Sequence, residues 1–165
     1  MHYPHIAQFA GSNDDTLIER VAQYFRQGLE RNAVGILITN EERRSKILEL
    51  LPETDAITCY DARETLGKFI RGGKVHPASF DAVVGHAVRE AMSVARGRPI
   101  YAYGDMVGEL WGTGKRQTAA DLEWFWNDLG SQIPFTLYCG YPIDPQDSAQ
   151  ADVQMIADLH SSIVA

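Results

Sequence analysis

Asp105 and Glu109, with Trp111 two places further on, are the residues whose types and spacing first invite a chemical reading of this chain. They follow a short run, Pro99 to Gly104, in which Ile100, Ala102 and the apolar parts of Tyr101 and Tyr103 make a β-like segment. Such a run reads as an interior strand of a parallel sheet, buried on both faces. In an open α/β sheet, ligands bind outside the carboxyl ends of the strands. Two acids and a large aromatic therefore stand where a site would be. The competing reading makes Asp105 the cap of the next helix and Trp111 a core residue, and the sequence leaves both open.

Other chemistry fares less well. A phosphate-binding loop needs G-x-x-x-x-G-K-[ST] directly after a strand. The turn after the first strand, Gly11-Ser12-Asn13-Asp14-Asp15, has one glycine, no lysine and two acids, which would repel a triphosphate. Gly112-Thr113-Gly114-Lys115 follows a helix instead of a strand, and no G-x-G-x-x-G follows any strand. There is no G-x-S-x-G nucleophile elbow. Cys139, before Gly140 at a strand end, could present a thiol with His5 or His160 near it, although a buried structural cysteine is the commoner case. His2 and His5 are the nearest approach to a metal pair, without any finger-like spacing, so no metal and no cofactor are expected. Asp121 and Glu123 read as charges on the exposed side of a helix. Trp124 and Trp126 diverge on that helix, and Trp124 is the one expected to line a partner surface or pocket rim. No catalytic residue is assigned, and the chain is not expected to be an enzyme.

The elements that must position these residues alternate in type. His5 to Phe9 is a strand candidate, and a helix opens at Asp14 and runs to about Arg31, with Leu17, Val21, Tyr24, Phe25 and Leu29 as its apolar stripe. Asn32 is suited to the left-handed conformation that ends it. Ala33 to Thr39 is the clearest strand; Asn40 caps a helix from Glu41 to Leu51. Ala56 to Tyr60 is a third strand, and the helix after Asp61 reaches Phe69-Ile70, where Gly72-Gly73 breaks it and Lys74 to Pro77 is a loop. A long helix from a Ser79 cap to Ala95 turns Phe80, Val83, Val84, Ala87, Val88 and Met92 to the core. After the 99–104 strand, Gly112 and Gly114 break one helix, and Gly108 to Gly114 offers a hinge. Thr118 to Leu129 is amphipathic, Phe135 to Tyr141 is the fifth strand, and a last helix runs from about Ser148 to Ile163. Strands alternating with helices mean βαβ units. The expectation is one α/β domain over residues 1–165, three-layer α/β/α, with a mainly parallel central sheet of five or slightly more strands.

Composition agrees. The chain has 165 residues, enough for one good core, and 45% apolar with 22% charged residues is ordinary for a globular domain. A net charge of −7 argues against a nucleic-acid partner. Arg43, Arg44 and Lys46 stand among Glu41, Glu42 and Glu49 and read as a solvated, salt-bridged face. No apolar run is long enough for a membrane span and no secretory signal is visible, while Cys59 and Cys139 read as buried free thiols, so a cytoplasmic protein is expected.

Seven separated blocks, in order, resemble one family. They are HIAQF (from His5), FRQGLE (from Phe25), ETLGKF (from Glu64), GDMVGELW (from Gly104), LEWFWNDL (from Leu122), FTLYCGYP (from Phe135) and IADLHSSIV (from Ile156). Together they are similar to the MEDS domain, named for sensory domains of methanogens and methylotrophs. The resemblance implies a RecA/KaiC-like core that has lost its phosphate-binding loop. It also implies an input module of bacterial or archaeal signalling proteins that senses small organic molecules and works with histidine kinases or DNA-binding domains. By position it puts His5, Gln8, Asp105, Glu109, Trp111, Tyr141 and His160 among the ligand-binding residues. The family commonly has glutamate where Asp105 stands, and a cysteine where Ala7 stands. No output domain follows before Ala165, so signalling is expected to pass through a partner chain or a homodimer.

The leading reading is a non-enzymatic sensory domain that binds a small organic molecule at the carboxyl edge of the sheet, where Gln8, Asn40, Asp61, Asp105 and Tyr141 stand. The alternatives are a protein–protein interaction module using Trp124 with Tyr24 or Tyr138, a degenerate nucleotide binder without hydrolysis, and an enzyme using Cys139 or the acids.

Overall fold

The computed structural model describes residues 3–11, 13–144, 146 and 148–164. His2, Ser12, Pro145 and Ala165 lie outside them. In chain order the elements are β1 (His5–Phe9), α1 (Asp14–Glu30), β2 (Val34–Thr39), α2 (Glu41–Glu49), β3 (Ile57–Asp61) and α3 (Ala62–Phe69). A short hairpin of β4 (Ile70–Arg71) and β5 (Lys74–Val75) leads into α4 (Pro77–Phe80), a π-helical stretch (Asp81–Gly85) and α5 (His86–Ala95). Then come β6 (Ile100–Gly104), α6 (Met106–Gly112), α7 (Arg116–Gln132), β7 (Thr136–Tyr141), α8 (Gln150–Leu159) and β8 (Ser162–Val164).

The main sheet has six strands in the order β3-β2-β6-β7-β1-β8, every pairing parallel. Its central strands are apolar throughout because both faces are covered, as βαβ crossovers require. Alternation splits their side chains between two cores. Ile36, Ile38, Ala102, Leu137 and Cys139 pack with residues of α5, α6 and α7, while Leu37, Tyr101, Tyr103 and Tyr138 pack with α1 and α2. Helices α1 and α2 thus form one outer layer, and α3 to α8 the other. The chain leaves β1 toward the first layer and β6 and β7 toward the second, which opens a crevice at the carboxyl edge between them.

Local signals hold at most boundaries. Asn13, Asn40 and Asp61 each accept a backbone N–H three residues on and cap α1, α2 and α3, and Asn32 has φ +60° just after α1. Where expectation and structure part, the causes are local. Lys74 is in a strand, not a loop, because Gly72 and Gly73 both take positive φ, the conformation a two-residue hairpin needs. The long helix starts at Pro77, with His76 as its cap in place of Ser79. A π-helical stretch follows it, and in α5 the buried face is made by Ala87, Val88, Ala91 and Ala95, which leaves Met92 at its edge, pointing to solvent. The last helix stops at Leu159. Ser161 then donates to His5 O, and Ser162–Val164 adds a sixth strand beside β1.

Candidate functional site

The crevice at the sheet's carboxyl edge holds a cleft of about 240 Å³. Ala10 and Gly11 line it from the β1–α1 turn, Asp14 and Leu17 from the start of α1, Arg43 from α2, Asp105, Gly108 and Glu109 from the start of α6, and Gly140 to Pro142 from the end of β7. Asp105 is 2% exposed and stands at the N-cap of α6, yet its side chain caps nothing. The capping reading is thereby corrected: β6 delivers Asp105 beside Thr39 at the end of β2, and the carboxylate turns to that neighbour. Thr39 Oγ1 donates to Asp105 Oδ2 at 2.6 Å, Arg43 Nη1 at 3.0 Å and Tyr103 Oη at 3.2 Å. All three use one oxygen. Oδ1 is buried without a hydrogen-bond partner.

Burial pushes the Asp105 carboxyl above its ordinary value, and the donors of Thr39 and Arg43 offset that only in part. Burial pulls Arg43 down, but Asp14 and Asp105 outweigh it and hold the guanidinium above its usual range. Burial, and then the Asp105 carboxylate, raise Tyr103. Glu109 receives Arg63 Nε at 3.2 Å.

Gly108 lets this arrangement close. A Cβ there would lie 2.5 Å from Gly140 O, so α6 rests directly on the backbone of β7. Of the stretch Gly108 to Gly114 expected to act as a hinge, Gly108 and Gly112 are part of a regular helix, and only Gly114 has the left-handed backbone that favours glycine.

A second group of polar side chains lies under the α7–α8 layer. His5 from β1, Cys139 from β7, Glu123 from α7 and His160, just past α8, place their ligating atoms within 4.8 Å of one another. Glu123 is fully buried, which overturns its assignment to the exposed side of the helix. It occupies the same stripe as Ala119, Leu122 and Trp126, and its charge is met by partners. His160 Nε2 is in direct contact with Glu123 Oε2, and Tyr141 Oη donates to that oxygen at 2.8 Å. Cys139 Sγ donates to Oε1 at 3.4 Å, and His5 Nε2 stands 3.5 Å from it. Burial alone would raise the Glu123 carboxyl, but His160 and His5 bring it below its ordinary range. Burial and then Glu123 push the thiol of Cys139 and the phenol of Tyr141 up.

The seven expected ligand-binding residues therefore divide. Asp105, Glu109 and Tyr141 line the cleft; His5 and His160 belong to the buried cluster, which Tyr141 also reaches through its hydroxyl. Gln8 is buried on the α1 side, accepting from Tyr138 Oη at 2.5 Å. Trp111 packs edge-on against Tyr141, with the Arg116 guanidinium 5.3 Å above its ring. Neither lines the cleft. Sequence reasoning misses Arg43 and Asp14. Arg44 and Lys46 do pair with Glu41 and Glu42 on the surface, but Arg43 turns inward from that solvated face. It also misses Glu123, although the spacing from Ala119, Leu122 and Trp126 is that of a buried stripe, on which an acid is a signal.

Trp124 is 56% exposed, as its divergence from Trp126 implied. Tyr24 and Tyr138 are buried and stacked on one another, so the exposed aromatic face joining them to Trp124 does not exist. Cys59 is only half-buried, its side chain reached from outside the smaller core; Cys139 is buried, and both are free thiols.

No helix among the described residues is long and apolar enough to cross a membrane. Comparison with curated proteins and with solved structures finds no match. A family model does match, over residues 4–161: MEDS, the MEthanogen/methylotroph, DcmR Sensory domain. With nearly the whole chain covered, the protein belongs to the MEDS family of sensory domains.

Proposed function

We propose that this MEDS domain binds a small organic molecule carrying an O–H or N–H donor in the carboxyl-edge cleft, and that it reports binding without transforming the ligand. The observation that carries this reading is Asp105 Oδ1, a buried acceptor with no partner, on a residue that lines the cleft. Buried polar atoms are nearly always satisfied, so one that is not marks a place for a ligand donor. The volume of about 240 Å³ lies below the roughly 300–1,000 Å³ of drug-sized sites, which favours a small molecule. Asp14, Asp105 and Glu109 against Arg43 leave the lining acid-rich, which favours an alcohol or amine over an anion. The same acids count against a nucleotide.

Binding at Oδ1 biases the seat of α6, which begins at Asp105, and that displacement is the signal. The output passes to a partner such as a histidine kinase or regulator, or across a homodimer, in the cytoplasm. Trp124 offers such a partner one exposed aromatic side chain.

A thermal-shift screen of the purified chain against short alcohols, amines and nucleotides tests the reading. A ligand at a hundred times its dissociation constant adds about 2.7 kcal/mol to stability. A rise with small donors alone supports the sensor; a rise with nucleotides alone, or with nothing, contradicts it.

A further inference from the structure

We infer that His5, Glu123, Cys139 and His160 form a buried four-donor site for a divalent metal ion of zinc type, joining β1, β7, α7 and the end of α8. Two imidazoles, a thiolate and a carboxylate are a donor set that zinc and neighbouring first-row ions take. The spacing suits them. His5 Nε2 to Cys139 Sγ is 3.4 Å, His5 Nε2 to Glu123 Oε1 is 3.5 Å, and Cys139 Sγ to Glu123 Oε1 is 3.4 Å. A tetrahedron built on bonds of about 2.0–2.3 Å has edges of about 3.3–3.8 Å.

The orientation of both histidines is an independent observation. His5 Nδ1 lies 2.7 Å from Asn127 Oδ1, and the Asn127 amide nitrogen donates to Leu159 O, so Oδ1 must accept and Nδ1 carries the proton. His160 Nδ1 lies 2.6 Å from Ile156 O, a carbonyl that only accepts. Each imidazole is thereby held with Nε2 turned into the cluster, the arrangement that outer partners give to metal-ligating histidines. His160 Nε2 is buried against the Glu123 carboxylate. Tyr141 Oη in turn holds Glu123 Oε2. With a divalent ion, one thiolate, one carboxylate and two neutral imidazoles make a buried site of zero net charge, which removes the cost of an unbalanced ion. As the metal bonds form, the Cys139 thiol proton and any Nε2 proton that either histidine shares with Glu123 leave to solvent, so that both imidazoles bind as neutral ligands. His5 also lines a groove of about 500 Å³ with Tyr3, Trp126 and Asn127, and it is at His5 that the cluster comes nearest that groove.

The site meets the proposed cleft at Tyr141, but its test uses no cleft ligand. The full chain, stripped with a chelator, is titrated with cobalt(II). The expected result is one ion per chain with a thiolate-to-cobalt charge-transfer band, lost in Cys139→Ser and kept in Cys59→Ser. Because removing a buried ligand can itself unfold the chain, the unmutated protein gives a second readout: one equivalent of zinc raises its melting temperature, and chelator reverses the rise. A band that survives in Cys139→Ser, or an unmutated chain that takes up neither ion and melts unchanged, overturns the site and leaves a buried carboxylate–histidine cluster.

Discussion

Arg43 gives Asp105 only one of its nitrogens. Nη1 donates to Asp105 Oδ2 at 3.0 Å, while Nε and Nη2 both go to Asp14 Oδ1, at 2.8 and 2.7 Å. A guanidinium meeting a lone carboxylate tends to engage both oxygens. Asp14 occupies the fork, and Asp105 Oδ1 is left without a hydrogen-bond partner.

Replacing Asp14 with Ala releases Arg43 to close on both oxygens of Asp105. The expected outcome is weaker binding of whatever ligand the screen finds, with stability changed by no more than about 1 kcal/mol, since the Asp14–Arg43 pair is partly exposed. Calorimetric titration of Asp14→Ala checks this. Binding as tight as in the unmutated chain would show that Oδ1 is not what Asp14 protects.

Asp105 also has a pH signature. Its folded carboxyl lies above its ordinary value because of burial, so the folded state holds this proton more firmly than the unfolded state. The contribution is fully present below the unfolded value and is lost as pH rises through the raised folded one. Urea unfolding across the weakly acidic range should show Asp105→Asn gaining stability relative to the unmutated chain as pH increases. A difference that does not vary with pH contradicts the assignment.

Two glycines should respond with opposite signs. At Gly108 a Cβ meets Gly140 O at 2.5 Å, and Gly108→Ala should cost about 1–3 kcal/mol and displace α6 from the cleft. At Gly67, an exposed position within α3, nothing lies within 4 Å of the new Cβ. There Gly67→Ala should add about 0.5–1 kcal/mol through backbone entropy. Thermal unfolding of the two variants decides it, and equal shifts would refute the close-approach argument.

The sheet was legible because its strands are buried on both faces. Val34–Thr39, Ile100–Gly104 and Thr136–Tyr141 stand out as apolar runs whatever surrounds them. Asp105, Glu109 and Tyr141 were legible for the same reason, as polar residues at or just past the ends of such runs. Ser162–Val164 was not, since three residues after a helix carry no period, and only the edge of β1 makes them a strand. Arg43 and Glu123 depend on long-range partners. A surface helix full of charges does not say which arginine turns inward, and Glu123 needs histidines from the two ends of the chain to be tolerated in the core.

Asn127 tests the buried cluster without touching a ligating atom. Its carbonyl fixes the His5 tautomer from the half-open side of α7. Loss of such an outer partner typically weakens metal affinity about 10- to 100-fold. Asn127→Ala should therefore bind cobalt(II) that much more weakly at unchanged stoichiometry. Affinity equal to that of the unmutated chain would contradict the role given to His5.

Isothermal titration of the best small-donor hit into the unmutated chain and into Asp105→Ala asks most directly whether Asp105 Oδ1 receives the ligand. Circular dichroism first establishes that the variant is folded. The prediction is one molecule bound per chain and at least a tenfold loss of affinity in Asp105→Ala, a difference of about 1.4 kcal/mol or more. Equal affinity in a folded Asp105→Ala would contradict it and move the ligand out of the cleft.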